Sequence, residues 1–323
     1  MSYRLRYVAW VVMALLGVLR HPATAEELWF APPDDLPRAN GHVYGPDFKE
    51  LFHTPSQWQD VLAKISVFEL TPRYAMVGSE QDLVQIFEFL HQHHIALAIG
   101  MQMVNAQNCG TNVEGMTGPG RAAAIAARIK RLGGDLRYVG MDEPMRFGTE
   151  FAGANACRYS ITETAVRVAE NVRAVQAVFP DVQIVDAEPV EHLQGTDWLA
   201  RLQTWFDAYA QAVGKPIAYF QADPWWDGPW RERMPQLLRA LRSRHIAFGV
   251  MLTASGNEAS DEKWISAAKL HVQEFEDFMH MHPDQAIVVS WTLHPSRILP
   301  ETSPGALSYL ARWYTLGGNW QQP

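Results

Sequence analysis

Short apolar runs recur along the chain, and each is followed by a longer stretch whose apolar positions return every three or four residues. The short runs are "ELWFAP", "ISVFELTP", "IALAIGMQMV", "LRYVGMDEP", "VQIVDAEPV", "PIAYFQADP", "IAFGVMLTA" and "AIVVSWTLHP". Their length and composition predict eight strands. The intervening stretches carry helix signals. Thr54-Pro55-Ser56 opens "QWQDVLAKI", Ser79 can cap "EQDLVQIFEFLHQHH", Gly120 precedes "RAAAIAARIKRL", and Thr162 leads "ETAVRVAENVRAVQAVF". "DWLARLQTWFDAYAQAV" stops at Gly214, and "RERMPQLLRALRSRH", "DEKWISAAKLHVQEFEDFMHMH" and "PGALSYLARWYTL" complete the series. Strands alternating with helices predict an α/β chain with a parallel sheet. Eight such units in order predict a (β/α)8 TIM barrel. The alternative, an open doubly wound sheet, has fewer strands as a rule, and no G-x-G-x-x-G follows the first run.

The first 25 residues break this rhythm. Arg4 and Arg6 precede an apolar segment, Val8 to Leu19, and Ala23-Thr24-Ala25 offers a small-residue cleavage site, the pattern of a signal peptide. The segment is short for a membrane span, and a retained N-terminal anchor is the alternative. Residues 26–323 are expected to form the barrel as a single domain, exported to the periplasm or the extracellular space. Cleavage removes Arg4, Arg6 and Arg20 and takes the net charge from −8 to −11. So acidic a chain is a poor ligand for nucleic acid or anionic lipid, and no second apolar run of membrane length follows. In an exported protein the two cysteines, Cys109 and Cys157, are expected to form a disulfide between polar loops. No cysteine or histidine spacing matches a zinc site.

In a barrel of this kind the active site is built where strands end, and here those ends are polar. Strand two ends with Glu69, Thr71 and Arg73, and strand three with Gln102 and Asn105. Strand four ends with Asp142 and Glu143, and strand five with Asp186 and Glu188. Strand six ends with Tyr219, Gln221 and Asp223, and strand eight leads into Trp291, His294 and Arg297. Residues two apart share a strand face, so Asp186 pairs with Glu188, and Tyr219 with Gln221 and Asp223. Asp142 and Glu143 are adjacent, and parity alone does not say which points inward.

Three consecutive strands ending in carboxylates, with few basic partners, would crowd like charges and split their pKa values. Two such acids flanked by aromatic faces suit glycosidic cleavage. Trp225, Trp226, Trp230 and Trp291 lie near the same mouth. Trp58, Trp198, Trp205, Trp264 and Trp313 fall in helical patterns and are expected to pack. His91, His93 and His94 end a helix, where the dipole and solvent suit them, and Ser255 and Ser290 lack the G-x-S-x-G turn of serine hydrolases.

"MDEP" resembles the Asn-Glu-Pro motif after strand four of the large clan of retaining TIM-barrel glycoside hydrolases. The resemblance implies that Glu143 is the general acid/base. Asp142 stands where the clan has Asn, and it can accept but not donate a hydrogen bond to a sugar hydroxyl. The clan's nucleophile Glu ends strand seven, whereas "GVMLTASG" has none there. Glu258 would have to reach back from the loop, or Glu188 or Asp223 would take the role.

The expectation is therefore a secreted glycoside hydrolase with Glu143, Glu188 and, in reserve, Asp223 as catalytic carboxylates. Asp142, Asp186, Glu69, Gln102, Tyr219, Gln221, Trp225, Trp226, Trp291 and His294 would bind a carbohydrate substrate. This chemistry requires no metal or cofactor. The competing expectation is a non-catalytic carbohydrate-binding barrel in polysaccharide export or assembly. A metal-dependent hydrolase is disfavoured, because the strand ends offer little histidine.

Overall fold

A computed structural model describes residues 27–317; the leader expected over residues 1–25 lies outside them. Eight parallel strands close into a barrel: β1 (Glu27–Ala31), β2 (Val67–Leu70), β3 (Ala96–Met101), β4 (Leu136–Asp142), β5 (Gln183–Glu188), β6 (Tyr219–Ala222), β7 (Ala247–Leu252) and β8 (Gln285–Val289). They follow one another in chain order, and β8 pairs with β1 from Glu27–Gln285 to Ala31–Val289. Each of the eight apolar runs supplies one strand, so the fold is the expected (β/α)8 barrel.

Strands covered on both faces must be apolar almost throughout, and the period of two divides their side chains between two cores. Trp29, Val67, Ala98, Val185 and Ile287 point inward and pack with Tyr138 and Tyr219. Phe30, Phe68, Phe220 and Phe248 point outward, into a shell that includes Trp58, Trp205, Trp230 and Trp264. All four indoles are fully buried, so Trp58, Trp205 and Trp264 do pack as their helical settings imply.

The helix starts follow local chemistry. Ser79 accepts the Asp82 amide at the head of Glu80–Gln92. Ser160, two residues before the expected Thr162, accepts the Glu163 amide to open Ile161–Gln176. Ser260 does the same for Lys263 ahead of Asp261–Val272.

Two loops at the C-terminal end are tied together. After β3 the chain forms a small parallel ribbon, Val104–Asn105 with Met116–Thr117. Cys109 in that excursion is disulfide-bonded to Cys157 in the loop after β4, with a Cα separation of 5.2 Å. The Gly110 amide donates to the Asn155 carbonyl at 2.7 Å, and Asn155 Nδ2 donates to the Thr111 carbonyl at 3.0 Å. The loops after β3 and β4 are therefore held in register.

Candidate active site

A cavity of about 720 Å³ opens at the C-terminal ends of the strands. Its floor is deep because inward positions there are small. Gly100 on β3 pairs with Gly140 on β4. A Cβ at Gly100 would sit 2.6 Å from Glu69 Oε1, so the missing side chain lets the Glu69 carboxylate lie across β3.

Strand parity turns Tyr138, Gly140 and Asp142 inward and would turn Glu143 out. Glu143 instead has φ +46°, a left-handed backbone that costs a β-carbon-bearing residue ~1–2 kcal/mol. Its amide donates to the Ala187 carbonyl at 3.0 Å, and both Asp142 and Glu143 line the cavity. The turn is braced from behind by Glu188. Its two carboxylate oxygens accept the amides of Met145 at 2.5 Å and Arg146 at 3.2 Å. From the front, Gly115 (φ +74°) presses so close that a Cβ there would meet the Asp142 carbonyl at 2.9 Å. That approach delivers its neighbour Glu114. One carboxylate oxygen each from Glu114, Asp142 and Glu143 lie within 4.8 Å of one another, a spacing that could hold a cation or a shared proton.

The electrostatics follow from this crowding. Burial pushes the Glu143 carboxyl up to about 8; Arg146, whose Nη1 lies 2.6 Å away, opposes the shift, and Asp223, Glu114 and Asp142 add to it. Asp223 is pushed to about 7 by burial and then by Glu191 and Asp142. Glu69 reaches about 7 by burial and the nearby Asp142. Asp142 is raised by burial, against a 3.1 Å hydrogen bond donated by Gln102 Nε2. Glu69, Glu114 and Asp223 accept no hydrogen bond from the described chain. Acids that hold the fold are different. Asp47 accepts the Ile298 and Leu299 amides, and Glu301 those of Asp60 and Val61.

Of the residues singled out in the sequence, Glu69, Thr71, Arg73, Gln102, Asp142, Glu143, Gln221, Asp223 and Trp291 line the cavity. Glu188 and Asp186 do not. They share a face, but Val185 and Ala187 occupy the inward positions, so both acids face the helices. Asp186 Oδ2 accepts from Trp205 Nε1 at 2.7 Å, and Glu188 is consumed by the turn it braces. Tyr219 is inward but lies at the opposite end of the barrel, 6.3 Å from Tyr138.

Trp226 is buried, stacked 4.7 Å from His271 and edge-on to Trp230, which makes it a packing residue rather than a sugar platform. Trp225 is half exposed beside His192, outside the cavity. His294 Nδ1 is held by Asp261, also outside. Glu258 caps its own loop at the Ser255 and Gly256 amides, and β7 presents Met251 to the cavity. Glu114, Arg38, Tyr44 and Arg121 also line it, and sequence reasoning missed them. Glu114, Arg38 and Tyr44 sit in long excursions where no periodicity marks them, and Arg121 opens the helix Arg121–Arg131, whose period signals packing and not a site. Glu114 had one faint signal, the Glu-Gly step that its placement depends on.

No family model matches the chain, and no curated protein matches it. Solved structures do. A thermostable mutant of a xylanase from Cellvibrio japonicus aligns with 92% of this chain and 99% of its own at 11% identity, TM-score 0.53. Xylanase 10B from Thermotoga petrophila RKU-1, in complex with xylobiose, aligns over 83% of each chain at 9% identity, TM-score 0.51. An endoxylanase of glycoside hydrolase family 10 from a sugarcane soil metagenome covers 83% of this chain and 85% of its own at 12%, TM-score 0.50. At these identities the likeness is one of fold alone, the closed (β/α)8 barrel.

Proposed function

We propose that this chain hydrolyses glycosidic bonds in a polysaccharide or oligosaccharide. The observation that carries the reading is the set of five carboxylates turned into one cavity, of which Glu69, Glu114 and Asp223 accept no hydrogen bond from the described chain, with Glu143 brought there by a left-handed backbone. A carboxyl that keeps its proton to about pH 8 is suited to protonate a departing glycosidic oxygen. Asp223, which ionises nearer pH 7, is the second carboxylate, acting on the anomeric carbon or on the attacking water. Asp142, Gln102, Gln221 and Glu69 hold hydroxyl groups, and the half-exposed indole of Trp291 offers a sugar ring a flat face.

Export fits the same picture. The leader-like sequence precedes a chain with a disulfide, a bond that persists in oxidising compartments. Among the described residues no helix is long and apolar enough to cross a membrane.

A second reading, a barrel that binds carbohydrate without cleaving it, draws on Met251 at the end of β7, where the resembling clan has its nucleophile. Release of reducing ends from a panel of plant and bacterial polysaccharides separates the two. Cleavage by the wild type that is lost in Glu143→Gln and Asp223→Asn, with melting temperature kept, supports hydrolysis. Saccharide binding by the wild type with no cleavage anywhere in the panel supports the binding barrel.

A further inference from the structure

The cavity is electrically lopsided. Its acids rise from β2, β4, β6 and the Glu114 excursion, while the wall formed by the loops after β1, β2 and β3 carries Arg38, Arg73 and Arg121. Among the described residues Arg73 and Arg121 form no ion pair, and Arg38 reaches Asp34 only at 3.9 Å. Arg38 Nε is buried with no hydrogen-bond partner, its guanidinium 5.4 Å from the Tyr44 ring centre. Arg73 has one hydrogen bond, a long one to the Leu36 carbonyl at 3.4 Å.

Arginines beside an acidic site are commonly its counter-charges. Here that work falls to Arg146, the arginine among the main influences on Glu114, Glu143 and Asp223. Glu69 responds to burial and to Asp142, and Asp142 to burial and to Gln102, with no arginine among these influences. The three wall arginines line the cavity, and none is ion-paired with its acids among the described residues.

We propose that this wall receives an anionic substituent, a carboxylate or a sulfate ester, on the saccharide; the inference rests on the carbohydrate reading above. A planar guanidinium offers paired N–H donors in the geometry such oxyanions need. An acidic saccharide entering this cavity is repelled by the carboxylates of the floor, so it docks in one sense. Its charge lies against Arg38, Arg73 and Arg121, and an uncharged glycosidic oxygen faces Glu143. The substituent thus acts as a specificity handle that sets register.

The test uses the Glu143→Gln protein, which should bind without cleaving. Calorimetric titration compares short oligosaccharides of galacturonate, mannuronate and glucuronate with their methyl esters, and sulfated galactan fragments with desulfated ones. At least one charged ligand should bind roughly tenfold or more tightly than its uncharged counterpart, as expected for a charge-assisted contact. That margin should vanish when Arg73→Gln or Arg121→Gln is added with the melting temperature kept. Equal binding of charged and uncharged partners, or a margin that survives both arginine variants, overturns the inference and leaves the carbohydrate reading intact. No binding of any saccharide overturns the reading and the inference together.

Discussion

Glu143→Gln tests the site through stability as well as through activity. The Glu143 carboxyl rises from 4.5 to about 8 on folding, chiefly through burial. Because the folded value is the higher one, the unfolded chain loses its proton first as pH increases. Stability from this group is full below about pH 4.5, declines between 4.5 and 8, and is level above. Each tenfold change in proton affinity is worth ~1.4 kcal/mol, so the group alone can cost the wild type up to ~5 kcal/mol across that window. Like-charge neighbours share part of this, so the difference is expected to fall below that bound. Gln is nearly isosteric, cannot ionise, and leaves Arg146 an oxygen to donate to. Urea unfolding of both proteins at pH 4.5, 6, 7 and 8 should give curves that diverge, the variant gaining on the wild type as pH rises. Asp223 and Glu69 also lie near 7 and slope both curves, so the difference reports Glu143 together with its interaction with Asp223. Cleavage should fall ~10²–10⁴-fold in the variant, the usual share of a general acid, and wild-type activity should decline above about pH 8. Parallel stability profiles would refute the claim that Glu143 holds its proton in the neutral range.

Three further outcomes are expected. Glu188→Ala removes the acceptor for two buried amides, so it should destabilise by ~1–3 kcal/mol and lower kcat more than it raises KM; an unchanged kcat in a folded variant would remove Glu188 from the support of the Glu143 turn. Trp226→Ala should cost ~3–5 kcal/mol in denaturant unfolding because the indole is core, whereas Trp291→Ala should leave the melting temperature in place and raise KM; the reverse pattern would contradict both assignments. Reduction of Cys109–Cys157, which closes a sequence separation of 48, should lower stability by ~2–4 kcal/mol and reduce activity, since the bridge ties the loops that carry Glu114 and Glu143; a reductant-insensitive melting curve with full activity would count against it.

The fold was legible because its signal is distributed. Eight strands buried on both faces each need an apolar run, and each run is long enough to see. Cavity residues were legible where parity and position agreed, as for Glu69, Gln102, Gln221 and Asp223. Parity also gave the pairing of Asp186 with Glu188, but pairing does not choose a face. The choice was made by Val185 and Ala187, which fill the inward positions of β5 and turn both acids toward the helices. Tyr219 failed for a different reason: it has the right face but the wrong depth, since β6 is short and Tyr219 begins it. Trp225 and Trp226 are adjacent in sequence and opposite in fate, one half exposed and one stacked on His271. Only tertiary packing distinguishes them. Glu114 comes from an excursion whose course is set by a disulfide and a close glycine contact rather than by periodicity. Of the arginine wall, Arg73 was legible just past β2, whereas Arg38 lies in the long loop after β1 and Arg121 heads a helix whose period marks packing and not a site.

The contrast between Glu188 and Glu143 shows how the two adjacent acids that end β4 should be understood. Glu188 is the more deeply buried, yet the surroundings answer it with two amide donors, as they answer Asp47 and Glu301. Its place in the chain is explained by what it holds. Glu143 has one partner, Arg146, which itself starts from the turn that Glu188 braces. Beyond that, folding spends ~1–2 kcal/mol of backbone strain to set Glu143 among acids that raise its pKa. An apolar residue at 143 in an extended conformation would point outward into the shell and cost none of this. A fold carries strained, unpaired acids where the interaction that satisfies them is supplied from outside the chain. In this cavity the missing partners are hydrogen-bond donors for Glu69, Glu114 and Asp223 and a proton acceptor for Glu143. A ring of hydroxyl groups with a leaving oxygen provides both at once. A cation bridging Glu114, Asp142 and Glu143 would satisfy Glu114 but neither Glu69 nor Asp223, and would displace the proton from Glu143. Cleavage that persists in a chelator is therefore the outcome the acid arrangement requires, and cleavage that depends on a divalent ion would reassign Glu143 from proton donor to ligand.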